Sequence, residues 1–326
     1  MNPALATLRS TPGIRRAWPT PDGTLTVELV DGTQGPRAGR IDSSGGLTLS
    51  PFGEDRKLSA LGAGHTGRLV VHRLHKRAVV LSDDRAVKIL RPGKASRVAE
   101  VSTALATACT AAGFGSAEVL AHTDDTVEFS LLPGRTLHEL GDDGLDGWRA
   151  LAAGWPAFAA TALELPEHTA ADEVEVLRTW LGHAQRFGSL ERLDELAAAV
   201  DDTCAALLRT PDPAVTLHRD LHDKQALWDG QRLHLLDLDT AARGEAALDL
   251  ANLLVHIDLR EMQGTLTRAD EARAIVGTAV DALGISAQRL AAYASASRLR
   301  LAFLYSFRPA SAPWLGTWTD KALTRK

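Results

Sequence analysis

Cysteine is scarce in this sequence, and its two copies lie far apart. Cys109 and Cys204 each fall in an alanine-rich stretch with helical character, and neither belongs to a CxxC pair or a cysteine–histidine cluster. The pattern therefore excludes a zinc site built from such clusters. We expect two buried free thiols, which behave as small apolar groups.

Long apolar runs are also missing. The longest, near residues 151–165, contains Pro156 and is too short to span a bilayer, so we expect no membrane partner. The first residues show no basic segment followed by an apolar run, so we expect no signal peptide and a cytoplasmic location.

The net charge is −5, from 36 Lys plus Arg against 41 Asp plus Glu. This weak acidic balance argues against nucleic acid as a partner.

The distribution of strand and helix signals predicts two lobes and an extension. Residues 1–55 are rich in Gly, Pro, Asp and Ser, with short alternating runs, and predict a small β-rich N-terminal extension of open role. Residues 56–133 combine β-branched runs with one amphipathic helix between Ala95 and Ala112. Residues 134–326 are mainly helical, apart from a β island at 215–238. The sequence thus predicts an α+β fold with a β-rich N-terminal lobe and a mainly helical C-terminal lobe.

A glycine-rich segment at residues 62–67, GAGHTG, matches the pattern GxGxxG. The 27 glycines of the chain make chance matches easy, so a plain turn is the alternative. A dinucleotide-binding loop should open a helix, whereas the strand-like run RLVV follows here. A glycine loop between two strands can fold over phosphates, because backbone N–H groups approach the oxygens closely. Gly62, Gly64 and Gly67 are therefore candidate phosphate-binding residues.

Lys88 lies within the apolar run AVKIL, which predicts a lysine on one face of a strand. Glu100 follows on the predicted helix, on a face where it could pair with Lys88. In such a pair, the carboxylate would hold the ammonium towards two phosphate groups. A solvated lysine and a surface glutamate are the alternatives.

The strongest candidate site is a polar loop at residues 217–225, LHRDLHDKQ, followed by LHLLDLD at 233–239. Asp220 and Asp237 each end an apolar run, which places carboxylates at the mouth of a site. Two acids and the amide of Gln225 suit a general base with Mg²⁺ ligands, because Mg²⁺ prefers hard oxygen donors. Asp249, in the following ALDLAN segment, is a candidate brace for the loop or a helix cap.

The order of these parts resembles the aminoglycoside phosphotransferase and small-molecule kinase family, which is similar in plan to protein kinases. The resemblance covers residues 57–260 and rests on GAGHTG, AVKIL, HRDLHDKQ, LLDLD and ALDLA. It implies a two-lobed protein-kinase-like fold and transfer of the ATP γ-phosphoryl group to a hydroxyl of a small molecule, such as an amino sugar, a sugar or an aminoglycoside.

The resemblance also implies roles for individual residues. The three glycines would cover the ATP phosphates, Lys88 would contact them, and Glu100 would hold Lys88. Backbone groups between Phe129 and Leu132, Leu131 among them, would bind adenine. Asp220 would accept the proton of the substrate hydroxyl. The Mg²⁺ ligands would be Gln225, Asp237 and Asp239.

Two departures from the family pattern leave alternatives open. Gln225 replaces the usual loop asparagine, which motivates a nucleotide-binding pseudokinase without turnover. Arg219 replaces the usual glycine, as in protein kinases. Only ten residues separate Asp239 from Asp249, which leaves little room for a peptide-binding segment, so a small-molecule substrate is preferred over a protein. A dinucleotide oxidoreductase is a distant alternative, and the sequence leaves the oligomeric state open.

Overall fold

The chain begins with a small antiparallel sheet and one helix, which we call the N-terminal module. The computed structural model describes residues 2–30, 32, 35–62 and 66–324. The module consists of helix α1 (Pro3–Ser10) and strands β1 (Ile14–Pro19), β2 (Leu25–Val30), β3 (Pro36–Ile41) and β4 (Leu47–Leu49), in that order across the sheet. Asn2 caps α1 by accepting a hydrogen bond from the backbone N–H of Leu5.

A second, five-stranded antiparallel sheet follows, in the order β5-β6-β7-β10-β9. Its strands are β5 (Arg68–Arg73), β6 (Arg77–Leu81), β7 (Arg85–Leu90), β9 (Val119–His122) and β10 (Thr126–Ser130). Helix α2 (Ala95–Ala111) packs against β9 and β10. Buried residues recur along it every three to four positions, which confirms the helix predicted from the sequence.

The rest of the chain is mainly helical. Its helices are α3 (Leu137–Leu140), α4 (Leu145–Ala159), α5 (Ala170–Phe187), α6 (Leu193–Leu207), α7 (Ala247–Met262), α8 (Ala269–Ala282), α9 (Ala287–Tyr305) and α10 (Ala312–Leu323). Two small sheets interrupt them, with the orders β11-β13-β14-β8 and β12-β15. These strands are β8 (Gly115–Ser116), β11 (Arg135–Thr136), β12 (Ala214–Leu217), β13 (Ala226–Trp228), β14 (Leu233–Leu235) and β15 (Ala242–Glu245).

Two apolar cores stabilise the helical lobe. Trp148, Trp155 and Phe158 are buried in the first core, and Phe303 and Trp318 are buried in the second. Helix α7 contributes to both cores, because its apolar side chains lie on opposite sides of the helix. This central position matters for function, because α7 carries Asp249 behind the polar loop at 217–225.

The N-terminal module touches both lobes. Leu5 and Leu8 of α1 share a buried apolar cluster with Phe187 and Phe307 of the helical lobe. In β2, Glu28 is fully buried and accepts a hydrogen bond from the backbone N–H of His72 in β5. The module therefore connects the two lobes on one side of the molecule.

The predicted α+β class, with a β-rich lobe before a mainly helical lobe, is confirmed. Cys109 and Cys204 are buried free thiols, as expected. In the part of the chain that the structure describes, no helix has the length and apolar character needed to cross a membrane. The division at residues 55 and 133 falls in connections between sheets and helices, and it stays a proposal.

Candidate active site

A cavity of about 340 Å³ lies between the five-stranded sheet and the helical lobe. Its walls are largely apolar, with Val79, Leu81 and Ala86 on the sheet side and Leu227 and Leu235 on the other. Phe129 and Leu131, in the segment that joins the lobes, also line it, where the sequence resemblance places adenine. A flat apolar slot with a few polar groups at one end suits an aromatic ring with a charged tail.

The polar end of the cavity contains an ion-paired lysine. Lys88 projects from β7, and its Nζ lies 2.8 Å from Oδ2 of Asp239 and 3.3 Å from Oδ1 of Asp237. The predicted pair between Lys88 and Glu100 is not formed. Glu100 is exposed, because it lies on a different side of α2 from the buried Ser102, which lines the cavity.

The predicted glycine loop also differs from the sequence interpretation. Gly62 ends a short 3₁₀ turn, Gly64 lies outside the described residues, and Gly67 directly precedes β5. The segment therefore precedes the first strand of the five-stranded sheet instead of joining two strands. Gly67 has φ +144°, and a Cβ there would lie 2.5 Å from the carbonyl oxygen of Leu81, so packing explains this glycine.

The connection between the first two strands of this sheet contains no glycine. It is the turn at residues 74–76, where His75 has φ +56°. Asp55 fixes this turn, since its carboxylate accepts a hydrogen bond from the backbone N–H of His75 at 2.7 Å. The same carboxylate contacts ring nitrogens of His72 and His75. The first two strands of this sheet are thus joined by a braced turn without glycine, whereas the sequence predicted that the glycine loop at 62–67 joins two strands.

The polar loop at 217–225 leaves β12 and is held from behind by α7. Both oxygens of Asp249 accept backbone hydrogen bonds, from the N–H of His218 at 2.7 Å and from the N–H of Arg219 at 2.8 Å. Asp249 is fully buried, and burial raises the pKa of its carboxyl to about 6. This bracing role is one of the two roles that the sequence suggested for Asp249.

The backbone of the loop is strained at Arg219. Its φ is +71°, in the left-handed region that favours glycine, and the family pattern has glycine at this position. The two hydrogen bonds to Asp249 flank this residue and hold it there. The bend leaves the next side chain, Asp220, half exposed, with Oδ2 4.0 Å from Nε2 of His222. Asp220 is therefore accessible to a substrate.

The aspartates of the second motif follow β14 directly. Asp237 has φ +50°, so the chain turns sharply as the strand ends and brings both carboxylates to Lys88. Burial raises the pKa of Asp237, but the charges of Lys88 and Arg77 outweigh it, and the pKa falls to about 2. Gln225 lies next to this motif, because its main-chain carbonyl accepts a hydrogen bond from the backbone N–H of Leu236 at 2.9 Å.

The oxygen atoms at this point fit a magnesium ion. Oδ1 of Asp239 is buried and has no hydrogen-bond partner among the described residues, although its carboxylate is ionisable. A buried carboxylate oxygen without a partner is costly unless a cation or a donor approaches it. The two carboxylates are the hard oxygen donors that Mg²⁺ prefers.

Sequence reasoning missed a buried network beneath the loop. Asp223 accepts two hydrogen bonds from Arg260, at 2.6 and 3.1 Å, and one from His138. Burial raises the pKa of Asp223, but these donors outweigh it and hold the pKa well below its usual range. His222 and His256 stack beside it with ring centroids 4.7 Å apart. These two histidines and Asp223 have metal-ligand spacing, but the Arg260 guanidinium already neutralises the carboxylate.

Comparisons with known proteins agree with this arrangement. Residues 60–293 match the sequence profile of a family described as the phosphotransferase enzyme family. This match covers most of the chain, so the protein belongs to that family. No curated protein matches the sequence. The N-terminal module lies outside the matched residues.

Several solved structures share the fold. An aminoglycoside phosphotransferase, APH(4)-Ia, in a ternary complex with AMP-PNP and hygromycin B, aligns with a TM-score of 0.57 and 16% identity, over 82% of this chain and 97% of the other. A choline/ethanolamine kinase family protein from Mesorhizobium loti gives 0.52 and 17%, over 82% and 90%. APH(3'')-Id from Streptomyces rimosus gives 0.51 and 19%, over 76% and 96%. These likenesses confirm the predicted two-lobed protein-kinase-like fold.

Proposed function

We propose that this protein transfers the γ-phosphoryl group of ATP to a hydroxyl of a small molecule. The observation that supports this most strongly is the convergence of Lys88, Asp237 and Asp239 at one end of an apolar cavity. The loop that carries Asp220 contacts the same segment, because His218 Nε2 lies 2.7 Å from the carbonyl oxygen of Leu236. Phosphoryl transfer from ATP needs three parts: an apolar slot for the adenine ring, a cation for the phosphates, and carboxylates at the reacting end.

Each residue has a distinct task in this proposal. Asp220 accepts the proton of the substrate hydroxyl as the hydroxyl oxygen bonds to the γ-phosphorus. The bond from that phosphorus to the bridging oxygen breaks, and ADP leaves with both electrons. Lys88 offsets negative charge on the phosphates, and the backbone near Phe129 and Leu131 positions adenine.

Magnesium would supply further charge neutralisation of the phosphates when it is bound. Asp237 and Asp239 would hold it, with Gln225 as a third donor. Gln225 has one methylene more than asparagine, so the second ion of the family pattern would be held more loosely or through water.

A small acceptor is favoured over a protein by the structure that follows the second motif. Residues 241–250 form β15 and the first turns of α7, and almost all of them are buried. This stretch therefore offers no open surface on which a peptide would lie. The acceptor is expected between Asp220 and the helices that follow residue 134.

An assay of ADP formation from Mg²⁺-ATP, screened over sugars, amino sugars and aminoglycosides, tests the proposal. Wild type should form ADP only with an acceptor present. Asp220→Asn should lower kcat by about 10²- to 10⁴-fold and leave AMP-PNP binding unchanged. The exposed Asp143 provides a matched control, Asp143→Asn, which should behave as wild type. AMP-PNP binding without ADP formation from any acceptor would instead favour the pseudokinase alternative.

A further inference from the structure

Two arginines face each other on the cleft side of the β5–β6 hairpin. Arg73 and Arg77 are direct cross-strand partners, and Arg77 alternates with Val79 and Leu81, which line the cavity. Like charges in this position destabilise a sheet. The Nε atoms of both arginines are buried and lack a hydrogen-bond partner among the described residues. The protein thus maintains two costly cations at the mouth of the site.

The N-terminal module adds a third arginine and an aromatic ring. Trp18 of β1 lies under the Arg73 guanidinium, with Cζ 4.7 Å from the ring centroid, and Arg16 Cζ lies 5.6 Å from the same ring. Glu28 pairs with Arg16 at 2.7 Å. Contact with an aromatic face orients a guanidinium without neutralising its charge. Trp18 therefore fixes Arg73 and leaves its donors available.

A fourth arginine comes from the helical lobe. Arg308 follows α9 and stacks on Tyr305, with Cζ 5.5 Å from the ring centroid. Within the described residues it has neither an acidic partner nor a side-chain hydrogen bond. Arg16 and Arg308 both lie outside the residues that match the family, 60–293. We call Arg16, Arg73, Arg77 and Arg308 the arginine cluster.

The members of the cluster act on one another and on the site. Burial, and then the charge of Arg77, lower the pKa of Arg73 to about 10, and Arg16 and Arg308 act in the same direction. Burial lowers the pKa of Arg308, and the negative charge of Asp220 opposes that shift. The cluster therefore extends from the phosphate end of the cavity, where Arg77 acts on Asp237, to the proposed base.

Four acids in the helical lobe are candidates to bind a cationic acceptor, namely Asp142, Asp143, Asp172 and Glu173, and all but the exposed Asp143 are engaged elsewhere. Asp142 accepts the backbone N–H groups of Thr267 and Arg268, Asp172 caps α5, and Glu173 lies 2.6 Å from a ring nitrogen of His168. Arg73, Arg77 and Arg308, by contrast, form no ion pair within the described residues, which favours an anion over an amino sugar.

We propose that the acceptor carries an anionic group, a phosphate or a carboxylate, that binds to Arg73 and Arg308 while its hydroxyl faces Asp220. This inference rests on the proposed kinase function. A guanidinium binds such oxyanions through two parallel hydrogen bonds, which fix orientation as well as adding affinity. Several partly desolvated arginines strengthen the attraction.

Calorimetric titration of the AMP-PNP- and Mg²⁺-loaded protein tests the inference. The probes are inorganic phosphate and four sugars: glucose, glucosamine, glucuronate and glucose 1-phosphate. Phosphate and the anionic sugars should bind, with the anionic sugars at least about 10-fold tighter than glucose. Arg73→Gln and Arg308→Gln should each weaken their binding by about 10- to 100-fold. Arg308→Lys keeps the charge and should recover part of the loss.

Controls separate the anion site from the nucleotide site and from misfolding. The exposed Arg97 gives the matched variant Arg97→Gln, which should bind every probe as wild type does. Thermal unfolding should show folded variants, and AMP-PNP should bind all of them equally. If Arg73→Gln and Arg308→Gln weaken AMP-PNP and spare the anionic sugars, the cluster serves the nucleotide and the inference is wrong.

The two proposals fail in different ways. Binding of neither phosphate nor an anionic sugar, or equal binding of glucose and its anionic counterparts, contradicts the anionic acceptor. ADP formation with neutral or cationic sugars would then still support the kinase. Conversely, tight binding of the anionic sugars that is lost in Arg308→Gln, without ADP formation from any acceptor, supports the anion site and contradicts turnover.

Discussion

Lys88 and Asp239 form an ion pair across the cleft, with Nζ 2.8 Å from Oδ2, although 151 positions separate them along the chain. The lysine comes from the sheet and the aspartate from the helical lobe, so the pair connects the two lobes at the reacting end. The Lys88 side chain is nearly buried, and Oδ1 of Asp237, 3.3 Å from Nζ, is its second acidic partner. Nucleotide phosphates would replace these carboxylates as partners of Lys88.

The first prediction compares the contributions of Lys88 and Glu100 to nucleotide binding. Lys88→Met should weaken AMP-PNP binding about 10- to 100-fold, because a charge-assisted contact to phosphate is lost. Glu100→Gln should leave binding unchanged, since Glu100 is exposed and turned away from the cavity. Calorimetric titration measures both. Equal losses in the two variants would show that the helix holds the lysine after all.

The second prediction concerns backbone strain at Arg219. Arg219→Gly should unfold at higher denaturant than Arg219→Ala, by about 1 kcal/mol in the free energy of unfolding. Both variants lose the side chain, but only glycine adopts φ +71° without cost. Urea denaturation compares the pair directly. Equal stability would mean that the loop relaxes out of the left-handed region.

The third prediction is a pH dependence that originates at Asp249. The pKa of its carboxyl is about 6 in the folded protein against 3.8 in a model peptide, so the folded state holds the proton more tightly. Uptake of this proton therefore adds to the free energy of unfolding, relative to its value at neutral pH. The added stability is complete below the unfolded pKa of 3.8 and is lost as the pH rises through about 6. The loss amounts to about 3 kcal/mol at about 1.4 kcal/mol per pKa unit.

Asp249→Asn removes this titration. The stability difference between wild type and Asp249→Asn should therefore be larger at about pH 4.5 than at about pH 7.5. Denaturant unfolding of both proteins at the two pH values measures it. A difference that stays constant or grows with pH would contradict the raised pKa.

The fourth prediction addresses the N-terminal module. Leu8 is 1% exposed and lies in the cluster that contains Phe187 and Phe307 of the helical lobe. Leu8→Ala should lower the free energy of unfolding by about 2–5 kcal/mol, because it leaves a cavity at the contact between the module and the lobe. Leu208, 58% exposed, gives the control Leu208→Ala, which should cost little. An unfolding transition of the module that leaves the lobes intact would show that the contact is weak.

Local patterns were sufficient to predict much of the site. Residues 217–225 and 233–239 place polar residues after apolar runs. These runs form β12 and β14, which belong to different sheets, and the segments after them meet where His218 Nε2 lies 2.7 Å from the carbonyl oxygen of Leu236. Lys88 and Asp237, which the sequence singled out separately, both line one cavity. Their catalytic and ligand roles stay predictions.

Other features depend on contacts that no local pattern contains. Glu100 and Ser102 are two positions apart on one helix and therefore face nearly opposite sides, so the orientation of the helix against the sheet decides which one faces the cavity. The glycine segment matched a motif, but only the sheet order shows that it precedes the first strand. The arginine cluster joins residues from β1, β5, β6 and the end of α9, and Arg260 reaches Asp223 from 37 positions away.

The most direct measurement is calorimetric titration of AMP-PNP into wild type and Asp237→Asn, each with Mg²⁺ and with EDTA. Wild type should bind AMP-PNP with Mg²⁺ and at least about 10-fold more weakly with EDTA. Asp237→Asn should lose most of this metal dependence. Failure of the wild type to bind AMP-PNP under either condition would contradict a nucleotide-dependent phosphotransferase site between the lobes.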